Sequence, residues 1–131
     1  MCATPEVTFL TLRVWIIDDS LEVAAGLKEL LSIDGQCEVV AHATSEQQAL
    51  EWSFQNDAGF DVAIVDLLLH EGSGFAVLAH LQKYQPGKVV VLSEYVSPAI
   101  AERCANLGAV AAFTKSQTGD CIRYVLALAA R

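Results

Sequence analysis

The chain is short of positive charge. Eight Lys plus Arg stand against sixteen Asp plus Glu, a formal net charge of −8 in 131 residues. Nucleic-acid binding is driven by cations that neutralise phosphates, and the few present form no cluster, so direct contact with nucleic acid is not expected. Long apolar runs are missing too. The longest stretches, such as residues 124–130, fall well below the roughly 20 apolar residues a membrane helix needs. The first residues have neither the basic start nor the apolar stretch of a secretory signal, so a cytoplasmic location is expected. Cys2, Cys37, Cys104 and Cys121 contain no CxxC pair, which argues against zinc and thioredoxin-like chemistry. They are expected to be small thiols in a reducing compartment, buried in apolar segments.

What is present is a regular alternation. At 53% hydrophobic the chain can fill a core, and its length suits one domain. Residues 1–12 read as an N-terminal extension, with Val7, Phe9 and Leu12 hinting at an extended lead-in, and residues 13–131 as the domain. Short apolar runs at 14–17, 37–43, 62–65, 89–92 and 109–113 have the length and composition of strands buried on both faces. Between them lie helical patterns. The first is capped by Ser20 or Asp19 and buries Val23, Leu27, Leu30 and Leu31. The second is capped by Ser45 and broken over 56–59, and the third runs from Phe75 to Tyr84 and stops at Pro86-Gly87. The fourth begins at Pro98 and ends near Gly108, and the last spans 118–129. Trp15 and Trp52 fall in core-like patterns. Strands alternating with helices imply α/β architecture, a doubly wound five-stranded parallel sheet, and the commonest order is 2-1-3-4-5. Arg131 closes the fifth helix, so no output domain is expected.

In such sheets ligands bind outside the carboxyl ends of the strands, where strand order reverses. Strand 1 ends in Asp18-Asp19, strand 3 in Asp66, strand 4 in Ser93 and strand 5 in Lys115. Adjacent strands are about 4.8 Å apart, which crowds three carboxylates together beside a hydroxyl and an ammonium. Two carboxylates roughly 4 Å apart repel by about 4 kcal/mol at an effective dielectric near 20. Either one stays protonated or a cation joins them. All-oxygen ligands with few carboxylates suit Mg2+.

The segments Ile16-Ile17-Asp18-Asp19-Ser20, Val65-Asp66-Leu67-Leu68-Leu69, Gly72-Ser73-Gly74-Phe75, Val91-Leu92-Ser93 and Phe113-Thr114-Lys115-Ser116, in that order and spacing, resemble the receiver domains of two-component response regulators, and single-domain receivers in particular. The resemblance runs over nearly the whole chain from Arg13. It implies a flavodoxin-like fold and a phosphoacceptor, Asp66. It further implies Mg2+ held by Asp18, Asp19, Asp66 and the backbone carbonyl of Leu68, with Asp19 the more direct ligand and Asp18 acting through water. Lys115 would pair with Asp66 at rest and with the phosphoryl oxygens afterwards, and Ser93 would donate to the phosphoryl group. The donor would be a phosphohistidine on a sensor histidine kinase or a histidine phosphotransfer protein. The chain would then act through a downstream protein partner or a phosphate relay. It would be no enzyme beyond assisting its own phosphorylation and dephosphorylation.

The sequence departs from the family pattern at four places. Ala112 stands where an aromatic switch residue is usual, and Phe113 beside it faces the other way by strand alternation. Glu94 follows Ser93 where a small residue is usual, and its carboxylate would repel or shield a phosphoryl group. Ser116 replaces a common Pro after Lys115, and because a cis bond without Pro costs about 3–4 kcal/mol, a trans peptide is expected. His70 replaces a frequent Pro after the phosphorylation loop and lies near Asp66. Glu94 and Ala112 leave open a pseudo-receiver that binds partners without phosphate. A magnesium phosphohydrolase would want a second Asp two residues after the nucleophile, where Leu68 stands, and an FMN protein would not tolerate Asp18-Asp19 in its phosphate loop. The helix 4–strand 5–helix 5 face, with Arg103, Arg123 and Tyr124, is the partner surface that analogy suggests, with helix 4 and Tyr95 taking over the output coupling. His42, His70 and His80 share no ligand spacing and read as polar-face or loop residues.

Overall fold

The structure, a computed structural model, describes residues 11–55, 59–84 and 87–129. The expected lead-in at Val7 and Phe9, Cys2, Pro86 and Arg131 lie outside them. The elements run β1 Leu12–Ile17, α1 Leu21–Ser32, β2 Cys37–Ala43, α2 Glu46–Gln55, β3 Val62–Val65, α3 Gly74–Tyr84, β4 Lys88–Ser93, α4 Pro98–Asn106, β5 Ala109–Thr114, a 3-10 turn Lys115–Gln117 and α5 Thr118–Ala129. All five strands are parallel, in the order β2-β1-β3-β4-β5.

Period-two alternation builds two cores from the same strands. Trp15, Ile17, Ala63, Val65, Val89 and Val91 pack with α2, α3 and α4 on one face. Val14, Ile16, Val62, Ile64, Val90 and Leu92 pack with α1 and α5 on the other. A strand with both faces covered needs a continuous apolar run, which is what the sequence supplies. Trp15 is fully buried and packs at a tilt against Trp52 (centroids 4.3 Å) and Phe60 (5.3 Å). Both tryptophans are thus packing residues. Cys37, Cys104 and Cys121 are buried free thiols, with Cys121 pushed up to about 12 by burial.

Some expectations need correction. β1 begins at Leu12, which pairs with Cys37 of β2, two residues before the apolar run at 14–17. Helix α1 buries Ala24, Leu27 and Leu31, whereas Leu30 is exposed and Val23 only half-buried. An alanine suffices on that side because α1 lies close against β2. His80 is half-buried rather than on a polar face: its ring lies beside Phe54 and Tyr84, and its Nε2 is 2.9 Å from Ser53 Oγ. Caps follow hydroxyl chemistry. Ser20, Ser45 and Ser97 accept from Val23, Gln48 and Ile100 amides at 3.1 Å each, which satisfies donors that a helix start leaves free. No described helix is long and apolar enough to cross a membrane.

Candidate functional site

The register delivers the acidic residues to one place. Ile17 pairs with Val65 across β1 and β3, so the next residues, Asp18 and Asp66, leave the sheet side by side. Ser93 pairs with Thr114 across β4 and β5, so Lys115 emerges next to Ser93. β1 and β3 are neighbours although α1, β2 and α2 separate them in sequence, which makes their carboxyl ends the switch point.

The side chains converge on Asp66. Lys115 Nζ donates to Asp66 Oδ2 at 3.0 Å, Ser93 Oγ to Asp66 Oδ1 at 2.7 Å, and the Leu68 amide to Asp66 Oδ1 at 3.1 Å. Asp66 and Ser93 are both buried. Lys115 also lies 3.0 Å from Asp18 Oδ2, a second partner that the sequence reading did not give it. The remaining Asp18 oxygen accepts from the Ser20 amide at 2.8 Å. Burial raises the Asp18 carboxyl above its usual range. The Ser20 amide and the Lys115 ammonium pull it down without cancelling that effect, and the charge of Asp66 adds to the rise. Burial would lower Lys115, but hydrogen bonds and charge from Asp66 and Asp18 outweigh it and hold the ammonium above its ordinary value.

Asp19 is the more open carboxylate, with a side chain 17% exposed. The His70 amide donates to its Oδ2 at 2.9 Å, and His70 Nε2 lies 3.3 Å from the same oxygen. Asp18, Asp19 and Asp66 each offer an oxygen within 4.8 Å of the others. All-oxygen and acidic, with Asp18 and Asp66 buried and Asp19 reaching solvent, this set fits a hard divalent cation. A cleft of about 350 Å³ opens over these groups, lined by Asp19, Asp66, Leu68, His70, Glu94 and Lys115. Of the residues singled out at the strand ends, Asp19, Asp66 and Lys115 line this cleft together with Glu94, while Asp18 and Ser93 join the group through Lys115 and Asp66.

The loop from Asp66 to α3 is held by backbone fit. An added Cβ at Gly74 would overlap the Asp66 carbonyl oxygen and Leu67 Cα, and Gly72 has φ +92 against the Glu46 side chain. Such positions take glycine. Glu46 pins the loop from the other side, its amide donating to Glu71 O (3.1 Å) and its Oε1 accepting from the Ser73 amide (2.9 Å). Sequence reasoning missed Glu46, since a first-turn Glu on a helix reads as an ordinary cap. It also missed His42, whose Nε2 bonds the Asp18 carbonyl at 2.7 Å. Its place at the end of β2, next to the switch point, was the available signal.

At the departures, Ala112 packs toward the α2–α3–α4 core and Phe113 toward the α1–α5 core, where it meets Tyr124 at 5.9 Å. No cis peptide occurs among the described residues, so Lys115–Ser116 is trans. Arg103 stacks over the Phe75 ring at 4.0 Å, Arg123 pairs with Asp120, and Tyr95 is exposed.

Comparison with known proteins agrees with this geometry. The transcriptional regulatory protein UhpA of Salmonella typhimurium is 33% identical over 109 residues, covering 83% of this chain and 54% of UhpA. The chain spans about half the length of the UhpA proteins it matches. The signal receiver domain of the NarL response regulator from Mycobacterium tuberculosis superimposes with a TM-score of 0.79 at 29% identity, over 91% of this chain and 96% of that one. A response regulator from Burkholderia pseudomallei, solved with a phosphorylated aspartic acid, a calcium ion and citrate, gives 0.71 at 30% identity, over 79% and 59%. Residues 14–126 match the response regulator receiver domain, and with the strand order and the cleft already described, the chain belongs to that family.

Proposed function

We propose that Asp66 accepts a phosphoryl group from a phosphohistidine, with Mg2+ in the acidic cleft, and that the phosphorylated chain signals in the cytoplasm by binding a protein partner or passing the group along a relay. The observation that carries this is the convergence of Lys115 Nζ, Ser93 Oγ and the Leu68 amide on one buried carboxylate. An Asp66 oxygen attacks phosphorus, the P–N bond of the donor breaks, and the electron pair returns to the imidazole nitrogen, which takes a proton from solvent. Asp18, Asp19, Asp66 and the Leu68 carbonyl would hold the metal. When bound, Mg2+ offsets the carboxylates and the charge that develops on the phosphoryl oxygens. Lys115, shared between Asp66 and Asp18, transfers part of its contact to the phosphoryl oxygens. Ser93 releases Asp66 Oδ1 and donates to the same group. The new charge, roughly −2 at neutral pH, favours the state in which Ser93 and Lys115 have closed on it.

A second reading, a partner-binding module that uses no phosphate, draws on Glu94 in the cleft and Ala112 in place of a ring. Intact-protein mass after incubation with acetyl phosphate and Mg2+ separates the two. A gain of about 80 Da in the wild type and none in Asp66→Asn is expected. A folded wild type that gains nothing from acetyl phosphate or from a phosphohistidine protein sinks the first reading in favour of the second.

A further inference from the structure

A groove of about 450 Å³ lies between α2 and the loop that follows Asp66, lined by Glu46, Leu50, Glu51, Phe54, Glu71 and Gly72. Phe54 is 70% exposed, unusual for a large ring, and Leu50 is half-buried beside it. One Phe54 edge meets His80, and Tyr84, itself more than half exposed, continues the apolar surface onto α3. The rim is acidic: Glu46, Glu51 and Glu71 line the groove, and α2 contains no Lys or Arg. We propose that this groove docks a basic segment of a partner protein, an apolar side chain packing on Phe54 and Leu50 with flanking Lys or Arg facing Glu51 and Glu71. Charge selects the occupant. A second copy of a chain at −8 would set carboxylates against carboxylates, and an anionic lipid surface would meet the same repulsion. Exposed aromatics supply most of the contact energy in such sites, and the surrounding charges set partner choice.

The position gives the groove a use. Glu71 and Gly72 belong to the loop that begins at Asp66, and Glu46 bonds that loop at both Glu71 O and the Ser73 amide. A segment seated here touches the phosphorylation loop from outside the cleft. The surface is also separate from α4, β5 and α5, where Ala112 replaces the usual ring. Docking itself does not depend on phosphoryl uptake by Asp66.

The test is amide chemical-shift mapping of the full chain titrated with two synthetic amphipathic helical peptides that share a Leu/Phe stripe, one flanked by Lys and Arg and the other by Glu. Shifts concentrated at 46–55 and 71–73, with the basic peptide only, are expected. Phe54→Ala should weaken binding about tenfold. Glu71→Lys, on the exposed loop, should weaken it about fivefold, while Glu102→Lys on α4, the same charge change elsewhere, should leave it unaltered. Shifts spread over all acidic surfaces, equal loss in Glu102→Lys, or equal binding of the acidic peptide would overturn the proposal. Sedimentation showing self-association that Phe54→Ala abolishes would do so as well, because the occupant would then be a second copy.

Discussion

The two sides of the cleft differ in kind. On the β1–β3 side, Asp18 and Asp66 are buried, every oxygen of both is bonded, and backbone amides from Ser20 and Leu68 fix them. On the β4–β5 side, Ser93 and Lys115 bond the same Asp66 carboxylate, but the residues around them are open or altered. Glu94 and Tyr95 are exposed, β5 is only half-buried, and Ala112 stands where family members carry a ring. The half that would hold metal and phosphate is rigidly specified, and the half that would report its state is not.

Four perturbations sharpen that contrast. Gly74→Ala should act most strongly, because the new Cβ meets the Asp66 carbonyl and Leu67 backbone with no flexible side chain to yield. A loss of about 3 kcal/mol in urea unfolding is expected. A loss near zero would show that the β3–α3 loop adapts and that the first side is not rigid. Lys115→Met removes the cation between two buried carboxylates and should cost about 2 kcal/mol at neutral pH, with part recovered by millimolar Mg2+. If Mg2+ leaves the variant's urea midpoint where it was, the carboxylates are not the cation site argued here.

Glu94→Ala should change stability by less than about 0.5 kcal/mol, as an exposed side chain that bonds no partner among the described residues. The same change should speed Mg2+-dependent phosphoryl uptake from acetyl phosphate about threefold, since a like charge lining the cleft costs roughly 0.7 kcal/mol if taken at about 8 Å and a dielectric near 60. Added salt should shrink the difference, and a slower variant would mean that Glu94 assists rather than repels. The smallest effect lies outside both halves. Burial lowers the His80 pKa below 6.5, so its neutral form is the one that folding favours. The resulting stability is present above pH about 6.5 and is lost as pH falls through the folded value. His80→Gln should flatten that acid limb in urea titrations from pH 7 to 5. An unchanged slope would assign the limb to other groups.

The strand ends were legible because chemistry is concentrated there. An apolar run terminated by Asp18-Asp19, Asp66, Ser93 or Lys115 states both where the strand stops and what it presents. The order 2-1-3-4-5 then brings these residues together. The helix faces were less legible. Leu30 reads as core and is exposed, whereas Ala24 is buried, because packing distance rather than hydrophobicity decides which residue the gap beside a helix accepts. Contacts made by ordinary residue types were invisible. Nothing about Glu46 in sequence says that it holds the β3–α3 loop, and for His42 only its place at the end of β2 hinted at the Asp18 carbonyl, since those partners are backbone atoms some 25 residues away.

Lys115 also has a mechanical part. Among the described residues β5 is an edge strand, hydrogen-bonded to β4 alone. Just past its last residue, the ammonium spans over β4 to reach Asp66 after β3 and Asp18 after β1. One side chain thus fastens the outermost strand to the middle of the sheet. Whatever draws that ammonium away slackens the edge, and amides near Thr114 should then exchange faster with solvent. An unfastened edge is also where a sheet recruits strands from other molecules. Phosphoryl uptake at Asp66, if it draws Lys115 away, would in this way loosen the far margin of the sheet.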